Sequence, residues 1–342
     1  MHGKAFAPEY QGELGAALGV NSSYEEVLST AGRALSEADT ALERARAGLA
    51  LAEANRRLGQ VDDAGTAWRQ SYRSARVAGE AGAMAWALWS GGTLARQCGQ
   101  LRLARRLLSW GVELAAGSGE RLAHGYALAG LAETGRIQGD YAAVAALHEQ
   151  LLEQGREHGE ARHMVWAMSG IAQMRRNTGD YAEALELFEE CVRIATDAQD
   201  ARGRAWSLRG VADVRSLRGE AEQALALLTE AEVICRAMDL AGALAYNHKM
   251  RGNVLYRDGR YEAAREMYAV ALEEFDGMRE PRGVALSRLG LAKSRARLGR
   301  DRSETLAELA ELEEDFARIG LRGARDGVIA FRQEMDAEPS MT

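Results

Sequence analysis

The stretch Arg176–Phe188, RNTGDYAEALELF, sets a glycine turn between two runs rich in alanine and leucine. Gly179 can take the left-handed conformation that ends a helix. Asp180 can then cap a second helix, with Glu183 at the capping-box distance and Tyr181 opening its apolar face. The passage reads as helix, tight turn, helix. Its glycine is one of a series: Gly19, Gly59, Gly99, Gly139, Gly179, Gly219, Gly259 and Gly299 stand 40 residues apart with no insertion. A fixed period of this length is the signature of a stacked-repeat architecture.

Other columns keep the same ruler. Seven residues before each turn comes a small residue, among them Gly92, Ala132, Ala172 and Gly252. Nine after it comes a bulkier one, Trp68, Leu108, His148, Phe188, Leu228 or Tyr268. Small positions let two helices approach and the bulky ones fill the space beside them. Each unit is therefore helix A, a glycine turn and helix B, joined to the next unit by a link expected to be looser.

The segments 131–141 and 251–264, LAETGRIQGDY and RGNVLYRDGRYEAA, resemble the tetratricopeptide repeat family in their small residue before the turn, Gly-x-Tyr and following alanine. The resemblance spans roughly residues 8–318. It departs from the family in its period, 40 instead of the usual 34, a longer form similar to the sensor regions of bacterial regulators. It implies an all-α, right-handed superhelical solenoid of about eight repeats, completing about one superhelical turn, with a C-terminal capping helix. Residues 8–336 would form one solenoid domain between short tails, 1–7 and 337–342. Residues 8–18 are expected as a shortened first helix, with Ser22 or Ser23 capping its partner. At the other end, 303–318 and 321–335 are expected as the last helix B and a closing helix.

Bulk properties fit. Apolar residues make up 47% and the net charge is −7, which offers no general attraction to nucleic acid or anionic membranes. No apolar run is long enough for a membrane span, and no basic start with an apolar core opens the chain. A cytoplasmic protein is expected. Cys98, Cys191 and Cys235 are too far apart for a thiolate metal motif and read as small apolar residues.

On helix A, positions 13, 10, 6, 3 and 2 before each turn share one side. In the family these positions line the concave groove where peptides bind. The first column carries Trp86, Tyr126, Trp166, Trp206 and Tyr246; the third carries Glu133, Gln173, Asp213 and Asn253; the fourth carries Arg136, Arg176 and Tyr256. Trp89, Arg209 and Lys249 stand between. Rings supply stiff apolar area and guanidinium forks clamp carboxylates, so these fifteen residues are the candidate site for a protein or peptide partner. The competing account makes the same columns inter-repeat packing and ion pairs.

Catalytic signatures fail. There is no phosphate-binding loop and no Gly-x-Ser-x-Gly elbow. His148-Glu149 begins like a zinc-protease helix, but position 152 is leucine. His158 and His163 read as solvated link residues, and His248, beside Asn253 and Tyr246, as a core substitution with possible chemistry. No metal, cofactor or catalytic residue is assigned. The chief reading is a non-enzymatic regulatory or adaptor scaffold. Its rival is a superhelix tight enough to enclose a small-molecule pocket, as a receptor or atypical enzyme, with Glu133, Asp213 and His248 as its acids and base and Arg136, Arg176 and Arg209 holding an anion. Self-association through Phe316, Ile329 and Phe331 is a third reading.

Overall fold

Left-handed residues punctuate the chain every 20 positions, not every 40. From Gly59 to Gly299 each such position has positive φ: ten are glycines, and Gln199, Asp239 and Arg279 take φ of 55°, 50° and 50°. At each, the following amide reaches back to a carbonyl five residues earlier, as in Gln60 to Asn55 and Asp200 to Ala195, both 2.8 Å. This closes the helix with the bond of a Schellman motif. The links between units are thus as tight as the turns within them, which corrects the expectation of looser links.

A computed structural model describes Gly15, Leu18 and residues 23–337, and the following applies to those residues. Helices follow one another as α1 (Tyr24–Glu37), α2 (Ala41–Arg57), α3 (Val61–Ala78), α4 (Ala81–Gln97), α5 (Leu101–Ser118) and α6 (Arg121–Gln138). Then come α7 (Tyr141–His158), α8 (Ala161–Asn177), α9 (Tyr181–Asp197), α10 (Ala201–Leu217) and α11 (Ala221–Ala237). The last are α12 (Ala241–Arg257), α13 (Tyr261–Gly277), α14 (Pro281–Arg297), α15 (Arg302–Ile319) and α16 (Arg322–Ala337). Even numbers from α2 to α14 are the A helices. Ser23 caps α1 by accepting from the Glu26 amide, and Pro281 starts α14, where its missing N–H costs nothing. Most of the expected first helix, and both terminal tails except Ala337, lie outside the described residues. Ala337 itself ends α16.

Successive units lock by a knob and a notch. The bulky residue nine after the turn, on helix B, faces a glycine nine before the next turn, on the following helix A. A Cβ on Gly130 would lie 2.8 Å from Leu108, on Gly170 2.0 Å from His148, on Gly210 2.3 Å from Phe188 and on Gly290 2.5 Å from Tyr268. Real side chains do not approach so closely, so these glycines exist to admit the neighbour's side chain.

The superhelix returns onto itself. Arg279 pairs with Asp62, 217 residues away, at 2.9 Å, and a Cβ on Gly59 would sit 3.3 Å from Met278. Pro281 packs beside Gly99, and Leu101 and Ile137 share a buried cluster with Ile319, Leu321 and Val328. One turn of the superhelix therefore takes about five and a half repeats, fewer than the expected eight. The last repeats stack on the first, and the concave face becomes the inner wall of the superhelix. At the C-terminal end Phe316 is buried beneath α16, Phe331 is buried on the inner face of α16 and Ile329 is half-buried, so they cap the stack and leave little exposed surface for self-association.

Candidate functional site

The interior is walled by A helices, because their small-residue face packs outward against B helices and leaves the opposite face inward. Three adjoining cavities of about 130, 190 and 530 Å³ run through it. Twelve of the fifteen candidate residues line them. Trp89, Tyr126 and Trp166 stand at the smallest; Trp206 borders all three; Arg209 and Tyr246 border the larger two. Glu133 and Gln173 border the smallest and largest, while Arg136, Arg176, Asp213 and Lys249 face the largest. Trp86 is buried behind this wall, 5.5 Å from the Trp89 ring and 5.1 Å from Tyr126. Asn253 and Tyr256 are turned elsewhere. Asn253 accepts from Tyr268 at 2.8 Å, and Tyr256 meets the tilted ring of Tyr261 at 5.3 Å.

The aromatic column both packs and lines. Tyr126 meets Trp89 at 5.1 Å and Trp166 at 4.7 Å, each edge to face, the arrangement ring quadrupoles favour. Further on, guanidiniums take the place of rings: Arg209 lies 4.5 Å from Trp206 and 5.5 Å from Tyr246, and Arg282 caps Tyr246 at 5.0 Å. The ladder is continuous across repeats and one edge of it remains open to the cavities.

The acidic column is largely neutralised from within. Glu133 accepts two bonds of 2.7 Å from Arg136, with Arg96 and Arg282 at 3.9 and 3.8 Å. Burial would raise its pKa, but these arginines outweigh it and hold the carboxyl at about 2. Asp213 is likewise held low, against its burial, between Arg176 and Arg257. Lys249 is different. It has no hydrogen-bond or ion-pair partner among the described residues, and burial brings it down to about 8. Gln173 also leaves its amide unengaged by described residues. An unpaired amine and amide beside exposed ring edges suit an extended ligand rich in carbonyls.

Residues outside the candidate set complete the wall. Arg162 donates to Asp200 at 3.0 and 2.9 Å, to the Tyr126 hydroxyl at 3.0 Å and to the Leu18 carbonyl at 2.6 Å. Arg202 lines both smaller cavities, and Arg282 joins Tyr246, itself bonded to Glu280 at 3.0 Å. A signal for these existed. Arg162, Arg202 and Arg282 lie 17 before a turn glycine, while Glu80, Glu120, Glu160, Asp200 and Glu280 lie 19 before it, at the N-cap of helix A. The columns read above begin one helical turn too late to include them.

The histidines correct two expectations. His163 is buried, paired with Glu160, and packed edge to face on Tyr126 and tilted against Trp166, so it is no solvated link residue. His248 does not border these three cavities, and no hydrogen bond joins it to Asn253. It bonds Glu274 at 2.8 Å, with Glu232 at 3.6 Å, on the side facing the B helices, and these carboxylates raise its pKa. Glu133 and Asp213 are locked in ion pairs, so the acid and base roles considered for these three have no geometric support. No group of three metal-ligating side chains comes together among the described residues. None of their helices is long and apolar enough to cross a membrane.

Residues 163–237 match the family described as tetratricopeptide repeat. Together with the paired A and B helices on one ruler, that decides the fold. It is a tetratricopeptide-type solenoid. Solved structures resemble this solenoid over most of its length. One is a Rap protein complexed with competence and sporulation factor, at 11% identity, covering 95% of each chain, with a TM-score of 0.63. Another is NprR in complex with its cognate peptide NprX, at 13% identity, covering 96% of this chain and 93% of that one, TM-score 0.65. A third is the Rap conjugation gene regulator of plasmid pLS20 in complex with the Phr* peptide, at 12% identity over 82% and 75%, TM-score 0.65. At such identities the likeness is one of fold. No curated protein matches the sequence.

Proposed function

We propose that this solenoid is a non-enzymatic regulatory receptor that takes a short peptide segment inside its superhelix. The observation that carries the reading is Leu18. This residue of the chain itself is fully buried in a cluster with Trp86, Trp89 and Tyr126, while its carbonyl accepts from Arg162. Side chain against rings and carbonyl against a buried guanidinium is how a peptide unit would be held there. The smallest cavity borders that seat at Trp89, Tyr126 and Arg162, and the largest adjoins it at Glu133, Gln173 and Trp206, which gives room for further residues. The solved complexes named above, two Rap proteins and NprR, add support, since each was determined with a factor or peptide bound.

The size of the two smaller cavities favours a second reading. Cavities of about 130 and 190 Å³ are smaller than typical ligand pockets and would suit a small molecule better than a chain.

Selection of a random short-peptide library on the purified protein separates the two. The peptide reading expects a consensus whose affinity falls on Trp206→Ala by about 2 kcal/mol, as for an aromatic hot spot, with helicity unchanged. No enriched sequence, or binders indifferent to Trp206→Ala and Gln173→Ala, would overturn it.

A further inference from the structure

The cavity of about 190 Å³ shares Trp206, Arg209 and Tyr246 with the peptide reading, but most of its polar lining belongs to residues that reading does not use. It lies between α1, α2 and α4 on one side and α10 and α12 on the other, where the first three repeats face the sixth and seventh across the interior. Tyr24, Arg57, Thr93, Arg96, Arg202 and Arg209 all border it. Their polar atoms are unsatisfied to an unusual degree. The Tyr24 hydroxyl, Thr93 Oγ1, Arg57 Nε and Arg96 Nε are all buried with no hydrogen-bond partner. Tyr24 is 1% exposed and the Arg57 side chain 8%. Four orphaned groups at one cavity, every one of them able to donate, are not expected in a well-packed interior.

The charges tell the same story. Arg202 has no hydrogen-bond or ion-pair partner among the described residues, and Arg209 touches only ring faces. The nearby carboxylates are already committed. Glu53 is held by Arg56 at 2.6 Å and by Ser90, and reaches Arg57 only at 3.8 Å. Glu133 belongs to Arg136 and reaches Arg96 at 3.9 Å. Glu280 is taken by the Tyr246 hydroxyl and the Gly283 amide. Burial, with Arg57 and Arg162 nearby, brings Arg202 down to about 9, and burial brings Arg96 to about 10. A chain of net charge −7 thus concentrates uncompensated positive charge at one buried place. Guanidinium pairs of this kind are kept where an oxyanion is to be clamped.

We infer that this cavity is a binding site for a compact polyanion, one whose phosphoryl or carboxylate oxygens accept from Tyr24, Thr93 and the four arginines. The site adjoins the peptide seat and does not depend on it. A ligand there would bridge helices from opposite walls, replacing like-charge repulsion with shared contacts.

Calorimetric titration at low ionic strength tests this with two probes, inorganic pyrophosphate and the dipeptide glutamyl-glutamate, against sodium chloride at matched ionic strength. At least one probe is expected to bind saturably, one per chain. Arg202→Ala should weaken it about tenfold or more, and Tyr24→Phe, which removes one hydroxyl, several-fold. The unliganded Arg202→Ala protein should melt no lower than the wild type, since that charge has no partner to lose. Pyrophosphate binding alone would identify a phosphorylated ligand; binding of the dipeptide alone would identify acidic side chains or a chain terminus. Saturable binding by neither probe, or binding unchanged in both variants, would overturn the inference. Should Arg202→Ala fail to fold, Tyr24→Phe and Thr93→Val carry the same comparison. Failure of the peptide selection with pyrophosphate binding intact would count against the peptide seat only.

Discussion

His148 stands where the equivalent residues of other repeats are Trp68, Leu108, Phe188, Leu228 and Tyr268. It is buried, and neither ring nitrogen has a hydrogen-bond partner. Burial pushes its pKa down to about 4, with the nearby Glu133 working in the opposite sense. The unfolded chain therefore binds this proton more readily than the folded one between pH 6.5 and about 4. Stability rises with pH across that window and is lost as the pH falls through it, by up to about 3 kcal/mol from this residue alone. His148→Phe, which places in the Gly170 notch the ring that Phe188 places beside Gly210, should flatten that slope. Chemical denaturation of both proteins at pH 4.5 and 7 measures the difference; equal slopes would refute it. Composition alone could not reveal this residue's state, because a histidine in a bulky column is equally compatible with a bonded ring.

Between helices the knob and notch carry the stacking. Gly210→Ala would set a methyl 2.3 Å from the Phe188 ring, where nothing can yield without moving the helix. We expect a loss of about 1–3 kcal/mol from overpacking, largely recovered in Gly210→Ala with Phe188→Leu. Thermal melts of the two single variants and the double form the cycle, and strict additivity would show that the contact is not the cause. The bulky half of this lock was legible in the sequence as a column nine after each turn. Its glycine half was not, because Gly130, Gly170, Gly210 and Gly290 are interrupted by Met250. The same physics explains the links. Glycine makes a left-handed turn visible, as at Gly179, whereas Gln199, Asp239 and Arg279 adopt the same conformation at a cost of about 1–2 kcal/mol each and leave no mark. The candidate wall was readable as far as one helical turn of each A helix, and Arg162, Arg202 and Arg282 fell just outside it.

Closure of the superhelix belongs to the whole chain, and no local pattern announces it. It depends on a small rotation per repeat summed over 217 residues before Arg279 meets Asp62. That exposed ion pair contributes little by itself, about 0–1 kcal/mol; the apolar packing of Met278 on the Gly59 turn is the firmer contact. Met278→Asp should part the two turns. We expect a larger radius of gyration by small-angle X-ray scattering with unchanged helical circular dichroism, and an unaltered radius would show that the core between Leu101 and Leu321 holds the ring alone. Closure also makes the molecule a counter. An open array tolerates gain or loss of a unit, since each repeat answers only to its neighbours. Here, removing one 40-residue unit would swing everything beyond it by about 65° around the axis, and the turn at Ile319 would no longer find Gly99. Whole-repeat duplication or loss in this chain would therefore have to rebuild the contacts between turns as well as those between neighbours, a constraint that an open array does not carry.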